Sequence, residues 1–255
     1  MGRRISHQVA PPKPYRNAAR ASRHGVARVI SKLGMASRSL AAKWVHEGRV
    51  RVNDQPVRDP DFPVLQGQDR ISVDERDIAA AARVVLMLNK PRGLVTTRED
   101  EQGRATVYQC LADAPLPWLA PVGRLDKASE GLLLFTNDSA WAAQLTNPAT
   151  GPDKTYHVQI DRVPDEALLK KLASGAPVEG DWLRFKSVHC MRSGLKNAWL
   201  EVILDEGRNR QIRRVLEACD VSVLRLVRVA IGRLALGELQ KGHWRVLSEP
   251  EIAAL

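Results

Sequence analysis

Cysteine is scarce. The 255 residues hold three, Cys110, Cys190 and Cys219, far apart along the chain. An odd number with no CxxC pair argues against a disulfide framework and against a structural zinc site. A reducing cytosol is the compartment that fits. Long apolar runs are also missing. None approaches the ~18 residues needed to span a bilayer, and the nearest, Ile78 to Leu88, is short and carries Arg83. No apolar segment of a secretory signal is visible at the N-terminus. There is no GxGxxG after a strand and no GxxxxGK[ST], so nucleotide-cofactor and P-loop readings lack support. HExxH and GxSxG are absent too. The six histidines are scattered, so no metal cluster is expected. No internal repeat has a fixed period. Hydrophobic residues make up 44% and charged residues 27%, an ordinary soluble composition that excludes collagen-like, coiled-coil and wholly disordered chains. The length suits one or two domains.

Acidic residues are missing from one end. The first is Glu47, whereas ten of the 39 basic side chains precede it. The other 29 face 29 acids, so the net charge of +10 sits entirely in the first 46 residues. A concentrated positive field attracts a polyanion, most simply nucleic acid, and makes binding salt-sensitive.

Residues 1–24 are rich in Arg, Ala and Pro without a sustained apolar period, and are expected to form a disordered basic arm. An organelle transit peptide is the alternative. Residues 25–73 read as a small separate module. Val26, Val29, Ile30 and Leu33 repeat at helical spacing, and Gly34 stops that helix. Ser37 is a candidate N-cap for a second helix bearing Leu40, Ala41, Trp44 and Val45, ended by Gly48. Arg49 to Asp54 reads as a strand entering a turn, and Ile71 to Val73 as a closing strand. Residues 74–83 read as a linker, with alanines that favour helix. From Val84 the pattern changes. Val84 to Leu88 and Leu132 to Phe135 are continuous apolar runs, as in strands buried on both faces. Lys154 to Ile160 alternates, with Tyr156, Val158 and Ile160 on one face. Trp182 to Val188 and Ala198 to Leu204 suggest two more strands, and helical patterns lie at 139–146, 165–174 and 208–219. Asp138 suits the N-cap of the first of these helices. The expected class is α+β with one large mixed or antiparallel sheet.

Between buried strands lies a polar, Gly-bounded loop, Gly123-Arg124-Leu125-Asp126-Lys127-Ala128-Ser129-Glu130-Gly131. A rigid strand beside such a loop fixes position, and glycine lets a substrate approach the backbone. By spacing alone an ordinary charged turn would look the same. Here, however, Val122 to Asp126 with Ser129 to Leu134 and Thr136-Asn137-Asp138 resembles the catalytic-aspartate motif of the ribosomal RNA pseudouridine synthases of the RsuA/RluB type. Leu88 to Gly93 resembles the family's opening strand and loop. Lys154-Thr155-Tyr156 resembles the motif carrying the active-site tyrosine, and Glu206 to Arg214 the third motif. Leu226 to Gly232 and Gly242 to Arg245 resemble the C-terminal signature. All occur in the family's order. Residues 25–73 separately resemble the RNA-binding domain named after ribosomal protein S-four, through Leu33-Gly34, Ser37-Arg38, Gly48-Arg49-Val50 and Val52-Asn53. Asn147, Arg233 and Ser39 depart from residues frequent in the family, and they leave the target site open.

The resemblance implies a two-domain α+β enzyme with a mixed, mostly antiparallel sheet and a central cleft over residues 84–255. It implies isomerisation of uridine in ribosomal RNA to its carbon-linked isomer, with no cofactor and no metal. Asp126 is the implied nucleophile or base, and Arg213 its cationic neighbour. Tyr156 stacks on the flipped base. On a helix over 208–219, Ile212, Val215, Leu216 and Cys219 form the buried stripe. Arg213 flanks it, and Arg210 and Arg214 lie nearly opposite, free to face phosphates. Arg124 is a further candidate contact to RNA. So are Arg28, Lys32, Arg38, Lys43, Arg49 and Arg51 in the first module. The expected partner is ribosomal RNA or an assembly intermediate, bound by a cytoplasmic monomer with no membrane association. A non-catalytic RNA-binding assembly factor is the alternative, and a DNA-binding regulator a third. Retention of Asp126, Tyr156 and Arg213 together favours the enzyme, and large-subunit RNA is the preferred substrate.

Overall fold

The computed structural model describes residues 23–112 and 114–255. The basic arm expected over 1–24 therefore lies, up to residue 22, outside the described residues. The chain begins with a short strand β1 (His24–Gly25) and helices α1 (Val26–Lys32) and α2 (Arg38–His46). Ser37 caps α2, its Oγ accepting from the Leu40 amide at 3.0 Å. Gly34 and Gly48 take positive φ past the two helix ends, as chain reversal there requires. Strands β2 (Val50–Val52), β3 (Gln55–Val57), β4 (Pro63–Val64), β5 (Ile71–Val73) and β6 (Arg76–Asp77) follow. Four of them form a sheet in the order β3-β2-β5-β6, and β4 pairs with β1. Val26, Val29, Ile30, Ala41 and Val45 pack on Val50, Val52, Val57 and Ile71 as a core of their own. This sheet runs past Val73 to Asp77. The segment 78–83 is not helical; the Ala81 amide donates to the Leu33 carbonyl instead. Its alanines meet a tertiary partner that competes with helix formation.

Asn137 ties this connector to the larger unit. Its Oδ1 accepts from the Val84 amide at 2.9 Å and its Nδ2 donates to the Ala82 carbonyl at 2.8 Å.

The larger unit comprises β7 (Val85–Lys90), β8 (Ala120–Val122), β9 (Glu130–Thr136), α3 (Ser139–Leu145), β10 (Lys154–Ile160) and α4 (Glu166–Ser174). It continues through β11 (Ala176–Val178), β12 (Asp181–Leu183), β13 (Ser187–Ser193), β14 (Ala198–Leu204), α5 (Gln211–Glu217), β15 (Val223–Ile231), β16 (Leu234–Ala235), β17 (Trp244–Val246) and α6 (Glu249–Ala253). Nine of these strands form one sheet, with the path β13-β14-β10-β15-β9-β7-β17 and with β8 and β16 on its sides. Only the β15–β9 pair is parallel, so the sheet is mixed and mostly antiparallel. The single strand expected over Trp182 to Val188 is two. β12 closes a hairpin with β11 around Glu179-Gly180, both at positive φ, and β13 starts afresh. Asp138 caps α3 by accepting from the Ala140 and Trp141 amides, each at 3.0 Å.

β7 and β9 are buried along their whole length. Val85, Met87, Leu132 and Leu134 enter one core, with Leu145 and Ile252. Leu86, Leu88, Leu133 and Phe135 enter another on the opposite face, with Leu125. A third core lies between α4, α5 and the alternating faces of β10 and β14. Each fully buried leucine contributes about 1.5–3 kcal/mol of transfer free energy, and strands β9 and β15 join these cores. They meet at Gly131, whose φ is +100 and where a Cβ would stand 2.2 Å from the Arg228 carbonyl oxygen. Glycine is required there for β9 to reach β15.

Candidate active site

The sheet opens where β9 and β15 diverge after two paired residues. A cleft of about 680 Å³ lies there, lined by the 123–126 loop, Lys154, Tyr156, the 206–213 segment, Leu226, Arg228 and Ile231. Asp126 sits in the loop before β9, its side chain 28% exposed.

The Asp126 loop is held from beneath. Lys90, at the end of β7, has no exposed surface. Its ammonium donates to the carbonyls of Pro91 (3.2 Å), Asp126 (3.1 Å) and Ser129 (2.8 Å). Burial pulls the Lys90 pKa down to about 8 from 10.5, against the opposing pull of Asp126 and Glu130. Thr96 Oγ1 donates to the Leu125 carbonyl at 2.7 Å, and the Gly93 amide donates to that of Lys127 at 2.7 Å. Backbone fixed by several independent donors keeps the Asp126 carboxylate in one geometry.

Two arginines approach the loop from the opposite wall. Arg213 on α5 donates from Nη2 to the Ala128 carbonyl at 3.2 Å. Burial lowers the Arg213 pKa and nearby Arg210 lowers it further, while Asp126 opposes both. Arg210 stands with Nη1 at 3.7 Å from the Asp126 carboxylate. That differs from the helical-wheel expectation, which turned Arg210 away from the core. The helix starts at Gln211, and Arg210 precedes it in a left-handed conformation, φ 50 and ψ 29. A wheel does not describe a residue outside the helix. Arg214 does face away, but it is engaged, donating to Glu179 Oε2 and to the Asn209 carbonyl.

Tyr156 is half-buried on the inner face of β10, packed against two of the cores. It stands opposite Arg228 on β15, so the two side chains share the cleft face. Lys154 lines the same wall. Burial lowers its pKa and the Arg228 charge adds to the effect. Arg124 is exposed at the cleft rim. Glu130, 2% exposed, binds Arg225 Nε and Nη2 at 3.1 Å and is also bonded by Lys241. Burial alone would raise its pKa; these hydrogen bonds together hold it below the ordinary value. Among the described residues, no group of three or more His, Cys, Asp or Glu is arranged to hold a metal ion.

In the first module, Arg28, Lys32, Arg38, Lys43 and Arg51 are exposed. Arg49 is half-buried, clasped by Asp74 at 2.9 and 2.6 Å and lying 5.2 Å from the Trp44 ring centroid. These residues lie outside the cleft. Sequence reasoning assigned no role to Lys90, Lys154 or Arg228. All three lie within quoted motif segments, and what marks them is burial, nearly complete for Lys90 and Arg228 and partial for Lys154.

Comparison with known proteins decides the family. The model of the RNA pseudouridylate synthase family matches residues 84–218, and that of the S4 domain matches residues 26–71. The chain belongs to the RNA pseudouridylate synthase family. An uncharacterized RNA pseudouridine synthase of Aquifex aeolicus is 35% identical over 227 residues, covering 89% of this chain and 91% of the relative. The ribosomal large subunit pseudouridine synthase B of Bacillus subtilis is 34% identical over 230 residues, covering 89% and 93%. A crystal structure of a pseudouridylate synthase superposes with a TM-score of 0.63 at 29% identity, covering 91% of this chain and 99% of that one. Membership makes the protein an enzyme that isomerises uridine in RNA, and the S4 domain an RNA-binding unit.

Proposed function

We propose that this pseudouridine synthase isomerises a uridine of large-subunit ribosomal RNA, with Asp126 as the catalytic carboxylate. The observation that carries the reading is the convergence of Asp126, Tyr156, Arg210 and Arg213 on one cleft. The target nucleotide leaves its stack and enters that cleft, where the Tyr156 ring stabilises the extruded base. Asp126 acts at the sugar, as nucleophile on the anomeric carbon or as base. The C1′–N1 bond breaks, the uracil turns, and C5 bonds C1′. The C5 proton is lost and N1 gains one, so the isomerisation needs no external reagent. Arg210 and Arg213 place positive charge on the wall that faces Asp126.

The N-terminal module, residues 25–77, supplies phosphate contacts that position the RNA through Arg28, Lys32, Arg38, Lys43 and Arg51. Arg124 at the rim extends that track, and Arg214 joins it once released from Glu179. Residues 84–255 carry the chemistry. The protein works as a cytoplasmic monomer on ribosomal RNA or an assembly intermediate. Support for the large-subunit target comes from relatives named for that subunit.

Carbodiimide mapping of ribosomal RNA from cells with and without the gene tests this. One site is expected to vanish and to return with the parent gene, not with Asp126→Asn. Purified Asp126→Asn protein should still bind the RNA. If no ribosomal site changes, the substrate assignment fails; if Asp126→Asn restores the site, the carboxylate assignment fails.

A further inference from the structure

Arg228 is 6% exposed yet lines the cleft. Its Nε donates to the Leu132 carbonyl at 2.8 Å. Its Nη2 is fully buried and donates to no acceptor among the described residues. A guanidinium nitrogen shut away from water without an acceptor is costly. Trp118 Nε1 and Arg213 Nε are unpartnered too, but Arg228 lines the cleft beside Tyr156, where a ligand can supply the missing acceptor, as for active-site donors. The neighbourhood says what kind of acceptor. Arg228 faces Tyr156 across paired strands, and Leu226 and Ile231 flank it on the same strand and wall. The place has one aromatic wall, apolar neighbours along β15, and two cationic side chains, Arg228 and Lys154, at its back.

We propose that Arg228 is a further catalytic residue, donating from Nη2 to a carbonyl oxygen of the flipped uracil. The inference rests on the proposed placement of the base against Tyr156. When C1′–N1 breaks, its electron pair passes to the uracil ring, and the charge spreads from N1 onto the carbonyl oxygens. A donor beside such an oxygen stabilises the detached base more than the intact nucleotide, and so lowers the barrier. The geometry suits that task. The Nε–Leu132 bond holds the guanidinium against β9 before substrate arrives, and only the cover over Nη2 has to shift for the base to meet it.

The test uses the full chain, large-subunit RNA transcripts labelled with [5-³H]uridine, and tritium release under single-turnover conditions. Arg228→Ala is expected to lower the rate by roughly 10²–10³-fold, the usual loss for a preorganised donor to developing charge. RNA affinity should stay within about twofold, because the contact strengthens only in the transition state. Added guanidinium should restore part of the rate without changing RNA affinity or thermal stability, whereas rescue of a structural defect would raise the stability as well. Arg228→Lys is the second variant. It keeps a charge and can keep the Leu132 contact but lacks the second nitrogen, so it should remain folded and slow. A parent-like rate in Arg228→Lys, or a folded Arg228→Ala that guanidinium does not rescue, overturns the proposal. A parent enzyme that releases no tritium from these transcripts overturns the substrate reading instead, whereas a parent that releases it and variants that match it overturn only the role of Arg228.

Discussion

Arg210 reaches to within 3.7 Å of the Asp126 carboxylate from a position just outside α5, while Arg213, inside the helix, grips the loop backbone at Ala128. One arginine addresses the charge of the loop and the other its shape. The left-handed turn at Arg210 is what brings both to the same wall.

The two contacts should differ in weight. The Arg210 side chain is half exposed and its contact to Asp126 is long, so the pair resembles a surface ion pair, worth about 0.2–1 kcal/mol. Arg210→Gln is expected to lower kcat/KM by less than about tenfold, and high salt should mimic it. Arg213 is more deeply set, and its removal frees Ala128 and takes a half-buried cation from beside Asp126. Arg213→Gln is expected to cost roughly 10²-fold or more, mostly in kcat. Steady-state kinetics of both variants decide it: equal losses would mean that the arginines act as one electrostatic unit.

Lys90 gives the fold a pH signature. In the folded chain it releases its proton near pH 8, in the unfolded chain near 10.5. Between these values the unfolded state holds more protons, so the Lys90 contribution to stability rises with pH across that window. Below pH 8 both states are protonated and the contribution is constant at its least favourable level. Comparing the parent with Lys90→Met by denaturant unfolding from pH 7 to 10 isolates this group. The stability difference should move in the parent's favour above pH 8, by at most about 1.4 kcal/mol per pH unit. A difference independent of pH would show that Lys90 keeps an ordinary pKa.

Much of this was legible in the sequence because it is local. Ser37 and Asp138 announce their helices through side-chain chemistry confined to one turn. The alternation of β10 places Tyr156 inward by itself. Other features depend on contacts far apart in the chain. Lys90 follows an apolar strand and reads as the point where the chain leaves the core; only the Asp126 loop folding over it makes it buried. Arg228 sits in a mostly apolar strand whose two arginines, Arg225 and Arg228, fall on opposite faces, so the sequence does not say which of them is buried. The burial of Arg228 comes from β9 crossing at Gly131, in the one parallel pairing of the sheet. Arg210 departs from the helical wheel because it precedes the helix, where helical periodicity does not hold.

The N-terminal module should contribute affinity in proportion to its unpaired charge. Arg28 and Lys32 are exposed on α1 and pair with no acid among the described residues. Each that neutralises a phosphate releases counterions, so its loss should flatten the dependence of log K on log salt by about one. Arg49 differs although it lies in the same module. Asp74 and Glu47 already compensate its charge, and Trp44 covers its face. Arg49→Gln is expected to leave the salt slope nearly unchanged while lowering thermal stability, since it unties β2 from the turn at Asp74. Filter-binding of ribosomal RNA at several salt concentrations, with Arg28→Gln, Lys32→Gln and Arg49→Gln in parallel, separates the two classes. Equal slopes in all three variants would mean that RNA pulls Arg49 from its carboxylates, and that intramolecular pairing does not decide which arginines reach phosphate.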